Sequence, residues 1–427
     1  MFPEFCNQSL VDMRLLLLLL TIFLVGTFAK AQNTLSLQEA MAMAVKSNPF
    51  YQVEKYNLDI AKTAVVTAGL HLNPSFSISA QVIPSAKYFS PGTNFFDPQN
   101  RQMTYQLSKV FQVGGQLKYK IDAAKSDFTI ANSNLSSVEW NLLNDVALKW
   151  LDVWYADEKL KLISEARVNS DTLLKINQIR LKNQVITTTE YSRTQINYEQ
   201  YKLMQLSAVQ QLKSEYNNLA LLLGTKDSIK IDKKEEWFPA ILPQNYDSLL
   251  KYALENRKEI LLSKNISDKA KIDVALQKAI SKPQPEIGLN YSPQNKVPYV
   301  GLFVSIPIPF SDRNQGEIAR AKIAVNQADA NIDAYRMQVV KEVKNAYDEY
   351  RTNKISWEKY MELNKKSEVV LLTIKMSYLK GGTTILDYLE AERTWFEMQS
   401  QYYEAMFNYR KSYLQLLFTC NFKGKNL

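Results

Sequence analysis

The segments without a helix-breaking residue constrain this fold more than any other feature of the chain. Residues 116–223 contain neither glycine nor proline, and neither do residues 317–380 or 383–423. An average helix of a globular protein has only three or four turns, so these segments predict unusually long helices. A single helix over residues 115–182 would be roughly 100 Å long at 1.5 Å per residue, and a compact domain could not cover it.

Apolar residues inside these segments recur at steps of three and four, the spacing of helices that pack along a seam. Examples are Leu142, Val146, Trp150 and Trp154 in the first segment and Val339, Val343, Tyr347 and Tyr350 in the second part of the chain. We therefore expect two helical hairpins, over about 115–223 and 316–420. Trp150, Trp154 and Tyr155 are expected in the core of the first hairpin rather than in a ligand site.

The chain also contains an internal duplication. Landmarks recur 197 residues apart: Val146, Trp150, Thr187 and Glu190 are followed by Val343, Tyr347, Thr384 and Asp387. A constant offset over several ordered landmarks indicates two copies of one structural unit. We predict a first repeat over 32–224, an equatorial linker over 225–246 and a second repeat over 247–420.

Four segments outside the hairpins alternate between apolar and polar residues, at about 75–83, 103–110, 286–292 and 299–306. This alternation fits any half-buried antiparallel sheet, and it also fits a membrane barrel with a wet lumen. Little else in the chain could cover the strands, so the barrel is favoured. Four strands cannot close a barrel, because the smallest membrane barrels need about eight. Three copies of the chain would supply twelve.

The N-terminal segment has the pattern of a cleaved secretory signal. An apolar run follows Arg14, and Ala29 and Ala31 form an A-x-A cleavage site, so residues 1–31 are expected to be a signal peptide. The residue directly after that site is Gln32 and not a cysteine, so no lipid anchor is predicted. Cys420 then remains as a single cysteine, which excludes an intrachain disulfide bond.

The composition excludes several classes of function. The net charge of +9 is spread along the chain among acids, so nucleic-acid binding is not predicted. One histidine, His71, and one mature cysteine are too few for a dedicated metal site, and no cofactor is expected. The sequence has no nucleophile motif and no phosphate-binding loop, so we do not predict an enzyme.

Several motifs resemble the TolC family of outer-membrane efflux proteins over nearly the whole mature chain. They are LSLQEA at 35–40 with Ala44 and Asn48-Pro49, the pair Asn73-Pro74 before the first strand, and the duplication itself. Two further segments resemble the CzcC/CusC heavy-metal branch of that family: FQVGG at 111–115 and IPIPFSDRNQG at 306–316.

The resemblance implies a mainly α-helical fold with a membrane β-barrel part, in which each repeat supplies two strands and one long hairpin. A homotrimer would form a 12-stranded β-barrel on an α-helical barrel that reaches into the periplasm. The implied location is the outer membrane of a Gram-negative bacterium, in contact with its lipid. The implied partners are a periplasmic adaptor and an inner-membrane pump of the RND type, and the passive channel would carry metal cations or small toxic compounds.

The turns between the long helices are the candidate functional sites. In the family these turns form periplasmic tips that adaptors contact, which implies a role for Arg180, Leu181, Lys182, Asn183, Lys380, Gly381, Gly382 and Thr383. The residue types in the second turn can also be explained by helix capping alone. Gly381 and Gly382 can end one helix, and Thr383 or Thr384 can cap the next. Asn183 is expected to take the left-handed conformation in the first turn.

The resemblance further implies a gate at these turns. In the family, a tyrosine and an arginine of the second turn bond to an acid of the first hairpin. Tyr378 matches the tyrosine and Glu190 matches the acid. Thr383 stands at the arginine position, so either the gate is weaker or another base, such as Arg193, replaces the arginine.

Asp387 and Glu390 match acids that ring the constriction in the family. Three-fold symmetry would bring like charges together and attract cations. Alternatively, the two acids have only a local role, because acids in the first turn of a helix interact favourably with its dipole.

Two other functions remain open at this point. A conduit for type I protein secretion would use the same fold for a different cargo. A periplasmic coiled-coil adaptor or scaffold would explain the long helices and the signal peptide, but not strands with an apolar outer face.

Overall fold

The computed structural model of the protein describes residues 34–232, 245–294 and 297–422. The predicted signal peptide and much of the predicted linker lie outside these residues. The first half of the chain forms three short or medium elements, two longer strands and a helical hairpin. In chain order they are β1 (Thr34–Leu35), α1 (Leu37–Ser47), α2 (Pro49–Ala68), β2 (Ser75–Val82), β3 (Arg101–Val110), α3 (Gln116–Lys182) and α4 (Thr188–Leu223).

The second half repeats this order of elements, which confirms the predicted tandem architecture. Its elements are β4 (Lys230–Ile231), α5 (Tyr246–Asn256), α6 (Lys258–Ile280), β5 (Glu286–Gln294), β6 (Val297–Ser305), α7 (Gln315–Leu379) and α8 (Ile385–Thr419). The strands differ from prediction at their ends. β3 begins two residues earlier than expected, and β5 and β6 extend towards each other until Gln294 pairs with Val297.

The long helices have the predicted dimensions. α3 has 67 residues and α7 has 65, so each is roughly 100 Å long. Each is followed by a five-residue turn and a return helix of about half its length, α4 or α8. The turns lie 197 residues apart, at the predicted offset. Within the part of the chain that the structure describes, no helix is both long and apolar enough to cross a membrane.

In both halves, a side chain caps the C-terminal end of the return helix. The last carbonyl groups of a helix lack partners within the helix. The Nδ2 atom of Asn48 donates to the carbonyl of Leu222 at 2.8 Å, and the Nη1 atom of Arg257 donates to the carbonyl of Thr419 at 2.8 Å. Leu222 and Thr419 are again 197 residues apart, so the Asn48-Pro49 and Asn256-Arg257 motifs occupy equivalent places.

A large apolar cluster joins the two hairpins near the base of the return helices. It contains Trp150 and Trp154 of α3, as predicted, together with Leu219 of α4 and Leu417 of α8. Trp140 adds a directed contact, because its indole Nε1 donates to the carbonyl of Phe418 at 3.1 Å. These contacts hold the hairpins side by side as one body.

The four longer strands form one antiparallel sheet in the order β2-β3-β5-β6. The register aligns apolar residues in rows across all four strands. One row is Phe76, Leu107, Leu289 and Leu302, and the next is Ile78, Tyr105, Tyr291 and Val300. The rows between them are polar or small, such as Ser77, Gln106, Asn290 and Gly301. The sheet therefore has one apolar and one mostly polar face.

We expect Gly224→Ala to destabilise the fold by about 2–4 kcal/mol. Gly224 ends α4 in a left-handed conformation, with φ of 65°, and an added Cβ would overlap the backbone carbonyl of Ser47. Gly381→Ala is the matched control, because Gly381 also follows a helix end with φ of 80° but has open space around it. Thermal unfolding of the purified protein, followed by circular dichroism, should show a clearly larger loss for Gly224→Ala. Equal losses would contradict the close approach.

Candidate functional site at the hairpin tips

The tips are the ends of the two hairpins that lie farthest from the sheet. α3 starts six residues after β3 ends and then runs for 67 residues, so its C-terminal end is roughly 100 Å from the strands. α7 leaves the sheet in the same way after β6. The structure thus brings the turn after α3 and the turn after α7 together at one end of the molecule.

The second turn has the predicted chemistry. Gly381 is left-handed, and the next amide, that of Gly382, donates to the carbonyl of Ser377 at 2.9 Å. This pairing satisfies a carbonyl that the helix leaves open. Thr384, one of the two predicted caps, begins α8 by accepting from the amide of Asp387 at 3.2 Å.

The first turn differs from the prediction by one residue. Asn183 has φ of −88°, and the left-handed residue is Gln184, with φ of 57°. The reason is the position of the turn's hydrogen bonds: the amide of Val185 donates to the carbonyl of Arg180 at 2.8 Å. This bond makes Gln184 the residue that must turn the chain, although asparagine tolerates the left-handed region better.

The two matched acids, Glu190 and Asp387, occupy equivalent capping boxes. The Glu190 carboxylate accepts from the amide of Thr187 at 2.7 Å, and the Asp387 carboxylate accepts from the amide of Thr384 at 3.1 Å. Asp387 also accepts from the hydroxyl of Thr383 at 2.7 Å. These bonds lower the pKa of both carboxyls below the ordinary values, so both stay charged in mildly acidic solution.

Tyr378 is buried and bonds to a residue that the sequence analysis missed. Its hydroxyl donates to Oδ1 of Asn177 at 2.8 Å, instead of to the Glu190 carboxylate. The Nδ2 atom of Asn177 donates to the hydroxyl of Thr194 at 2.9 Å, and that hydroxyl donates to the main-chain carbonyl of Glu190 at 3.1 Å. Tyr378 therefore reaches Glu190 only through two intermediate side chains and at its backbone.

A basic side chain, that of Arg180, packs against Tyr378. Its guanidinium lies over the Tyr378 ring, 4.6 Å from the centroid, and its Nη2 donates to the carbonyls of Tyr378 and Leu379 at 3.3 and 3.2 Å. A cation is favourable at this place, because the C-terminal end of α7 carries partial negative charge. Arg193, the suggested replacement, is exposed and contributes least to the lowered pKa of Glu190.

The remaining predicted tip residues are accessible. Lys182, Asn183, Lys380, Gly381 and Gly382 are exposed, and Leu181 is partly exposed. Glu390 is exposed and forms a surface pair with Arg393, whose Nη2 lies 2.9 Å from the carboxylate. Such a pair adds little stability.

A second polar layer lies further from the turns. Asn197 of α4 donates from Nδ2 to the hydroxyl of Ser170 at 3.2 Å and to the carboxylate of Glu392 at 2.9 Å. Sequence periodicity could have revealed Glu392. Ile385, Tyr388, Glu392 and Trp395 follow steps of three and four, which places an acid on the buried seam of α8.

We expect Arg180→Ala to loosen the contact between the tips. The loss of a cation–π contact and two charge-assisted hydrogen bonds on a half-buried side chain should cost about 1–2 kcal/mol. Hydrogen exchange of the amides in residues 378–384 should then accelerate roughly five- to thirty-fold. Lys182→Ala, which removes an exposed cation from the same helix end, is the control. An unchanged exchange rate in Arg180→Ala would contradict the role of this arginine.

Comparison with known proteins places this geometry in a family. The sequence pattern of the outer membrane efflux protein family matches residues 41–225 and 249–420. The chain is 21% identical over 381 residues to the cobalt-zinc-cadmium resistance protein CzcC of Cupriavidus metallidurans, covering 87% of each protein. It is 23% identical over 310 residues to the nickel-cobalt-cadmium resistance protein NccC of Alcaligenes xylosoxydans xylosoxydans, covering 71% of this chain and 66% of the relative.

Solved structures show the same fold. The chain superposes on CusC with a TM-score of 0.76 at 16% identity, covering 90% of this chain and 91% of CusC. It superposes on the open state of the MtrE outer membrane channel of Neisseria gonorrhoeae with a TM-score of 0.73 at 16% identity, covering 90% and 88% of the two chains. The duplicated hairpins, the four-stranded sheet and the matched motifs thus agree with these comparisons: the chain belongs to the outer membrane efflux protein family, the TolC family, and resembles its heavy-metal branch.

Proposed function

We propose that this protein is the outer-membrane channel subunit of a tripartite efflux system and conducts its cargo passively. The observation that carries the proposal is the exposed apolar face of the sheet. Phe76, Ile78, Leu289, Val300 and Leu302 are between 53 and 78% exposed in the single chain. Water would make such a continuous apolar surface unfavourable, whereas membrane lipid would cover it.

The sheet also supports a homotrimer. Among the residues that the structure describes, β2 and β6 each pair on one side only, so both edges of the four-stranded sheet are open in the single chain. Open edges are not tolerated in the hydrocarbon layer of a membrane, because their backbone groups lack hydrogen-bond partners there. Three copies joined edge to edge would form a closed barrel of twelve strands, with the polar rows facing the lumen.

The hairpins would then extend from the membrane into the periplasm. Their length of roughly 100 Å suits a conduit towards the inner membrane. At their tips, the exposed residues Lys182, Asn183, Lys380 and Gly381 would meet a periplasmic adaptor that belongs to an inner-membrane pump of the RND type. The pump would supply the energy.

The contacts between the tips support a gate that differs from the family pattern. Arg180 on α3 would hold the C-terminal end of α7 in place of the arginine that Thr383 replaces. Tyr378 would strengthen the closed state through Asn177 rather than through the Glu190 carboxylate. Asp387 and Glu390 would add negative charge near the constriction, in addition to the capping that Asp387 performs.

Metal cations are the cargo that the relatives favour, because CzcC and NccC are named for resistance to cobalt, cadmium and other metals. Small toxic compounds are the second candidate, and a protein substrate of type I secretion is a third. A periplasmic adaptor or scaffold is disfavoured, because a soluble protein would have to leave the apolar sheet face uncovered.

The membrane position of the sheet can be tested with two neighbouring residues of β5. Leu289→Arg places a charge on the apolar face and should cost about 2–4 kcal/mol per chain. We expect loss of the heat-modifiable trimer from the outer-membrane fraction. Asn290→Arg places the same charge on the opposite, polar face and should leave trimer and fractionation unchanged. Equal behaviour of the two variants would contradict a lipid-facing sheet.

The charge at the constriction can be separated from helix capping. In planar bilayers, Asp387→Asn should reduce the cation preference of the channel, read from the reversal potential in a salt gradient, because three carboxylates are removed per trimer. Thr384→Ala breaks the cap but keeps the Asp387 carboxylate, so it should preserve the preference. If Thr384→Ala lowers the preference equally, the cap rather than the charge is responsible.

A further inference from the structure

Glu392 is a buried acid at the junction of all four long helices. Its side chain is 2% exposed in the single chain, so this burial does not depend on neighbouring copies. On α8 it lies between Tyr388 and Trp395, which belong to two separate apolar clusters shared by the hairpins. An acid at this place interrupts an otherwise apolar seam.

The polar surroundings of Glu392 are sparse. One carboxylate oxygen accepts from Nδ2 of Asn197 at 2.9 Å. The other oxygen, Oε1, is buried and has no hydrogen-bond partner among the described residues. A buried carboxylate with an unpartnered oxygen is costly, because ionisation needs hydrogen bonds that the site does not provide.

The groups that face Glu392 do not supply a strong counter-charge. α3 presents Ser170, which has no charge, and α4 presents Asn197 and Tyr201. α7 contributes the positive charge of Lys375, whose effect on Glu392 is the smallest of the three causes, and α8 itself contributes Tyr388.

We propose that Glu392 is a positioning residue of the gate, which holds the two hairpins together when it is protonated and loosens them when it is ionised. The inference rests on the proposed channel function. It predicts that an increase in pH favours the open tip, because a separated pair of hairpins would let water reach the carboxylate.

The direction of this pH effect follows from the pKa of Glu392 in the packed tip and in the open tip. Burial raises the pKa of Glu392 from 4.5 to about 7 in the packed hairpins, although Asn197 and Lys375 oppose the shift. In an open tip the hydrated carboxyl would keep an ordinary pKa. The packed state therefore binds the proton more tightly, and its advantage falls as the pH rises from about 4.5 to about 7. Above that range both states are ionised and the balance is constant.

The test uses the full-length trimer in planar bilayers, with conductance recorded from pH 5 to pH 8. For the unmodified protein we expect the opening equilibrium to increase with pH, by up to about a hundredfold. Glu392→Gln keeps the shape and the hydrogen bond from Asn197 but cannot ionise. Its conductance should stay at the low-pH level of the unmodified channel throughout. Glu397→Gln, which changes an exposed acid of the same helix, should keep the normal pH response.

A second variant guards against misfolding of Glu392→Gln. Asn197→Ala removes the donor that stabilises the ionised form, so the pH response should move to higher pH. A flat response of the unmodified protein, or a retained response in Glu392→Gln, would overturn the proposal. Arg180→Ala, which should loosen the tips, serves as the control for an open channel. If no variant, including this one, forms a pore at any pH, the proposed channel function is wrong. If pores form but do not respond to pH, only the role of Glu392 is excluded.

Discussion

Helices of 67 and 65 residues are stable in water only when each buries a continuous face against other helices. In this protein that burial occurs between the hairpins as well as within them. Trp140 of α3 donates to the C-terminal end of α8, and Trp150 and Leu417 share one apolar cluster. Everything else in the molecule depends on this lateral packing, because it aligns the strands at one end and the turns at the other.

The same seam also contains buried polar residues. Near the turns these residues are Asn177, Thr194 and Glu392, and nearer the base they include Asp157 and Ser412. The strength of the contacts around a buried acid changes with its protonation, whereas the strength of apolar packing does not. If the proposed gate exists, the position of Glu392 close to the turns would let protonation act on the tips.

The sheet shows the opposite arrangement, in which a single chain is incomplete. Its register aligns apolar rows on one face, and both edge strands remain open. Under the proposed function, membrane lipid would cover the apolar face and further copies of the chain would pair with the open edges. The helices likewise expose large apolar side chains in the single chain, such as Phe50, Leu206 and Val369.

The sequence by itself determined the duplication, the long helices and the alternating strands, because each is a periodic pattern in which many residues agree. It also narrowed the cap of α8 to Thr383 or Thr384, since that interaction is local, and the structure selects Thr384. Only the tertiary structure decided which side chains connect the hairpins. Tyr378 lies about 200 residues after Asn177 and Arg180 in the sequence. The bonds between them depend on the relative rotation of two helices, which no local pattern specifies. Within one chain the Tyr378 hydroxyl bonds to Asn177, a partner that the sequence did not reveal. The left-handed residue of the first turn is Gln184 instead of Asn183, because the amide of Val185 bonds to the carbonyl of Arg180.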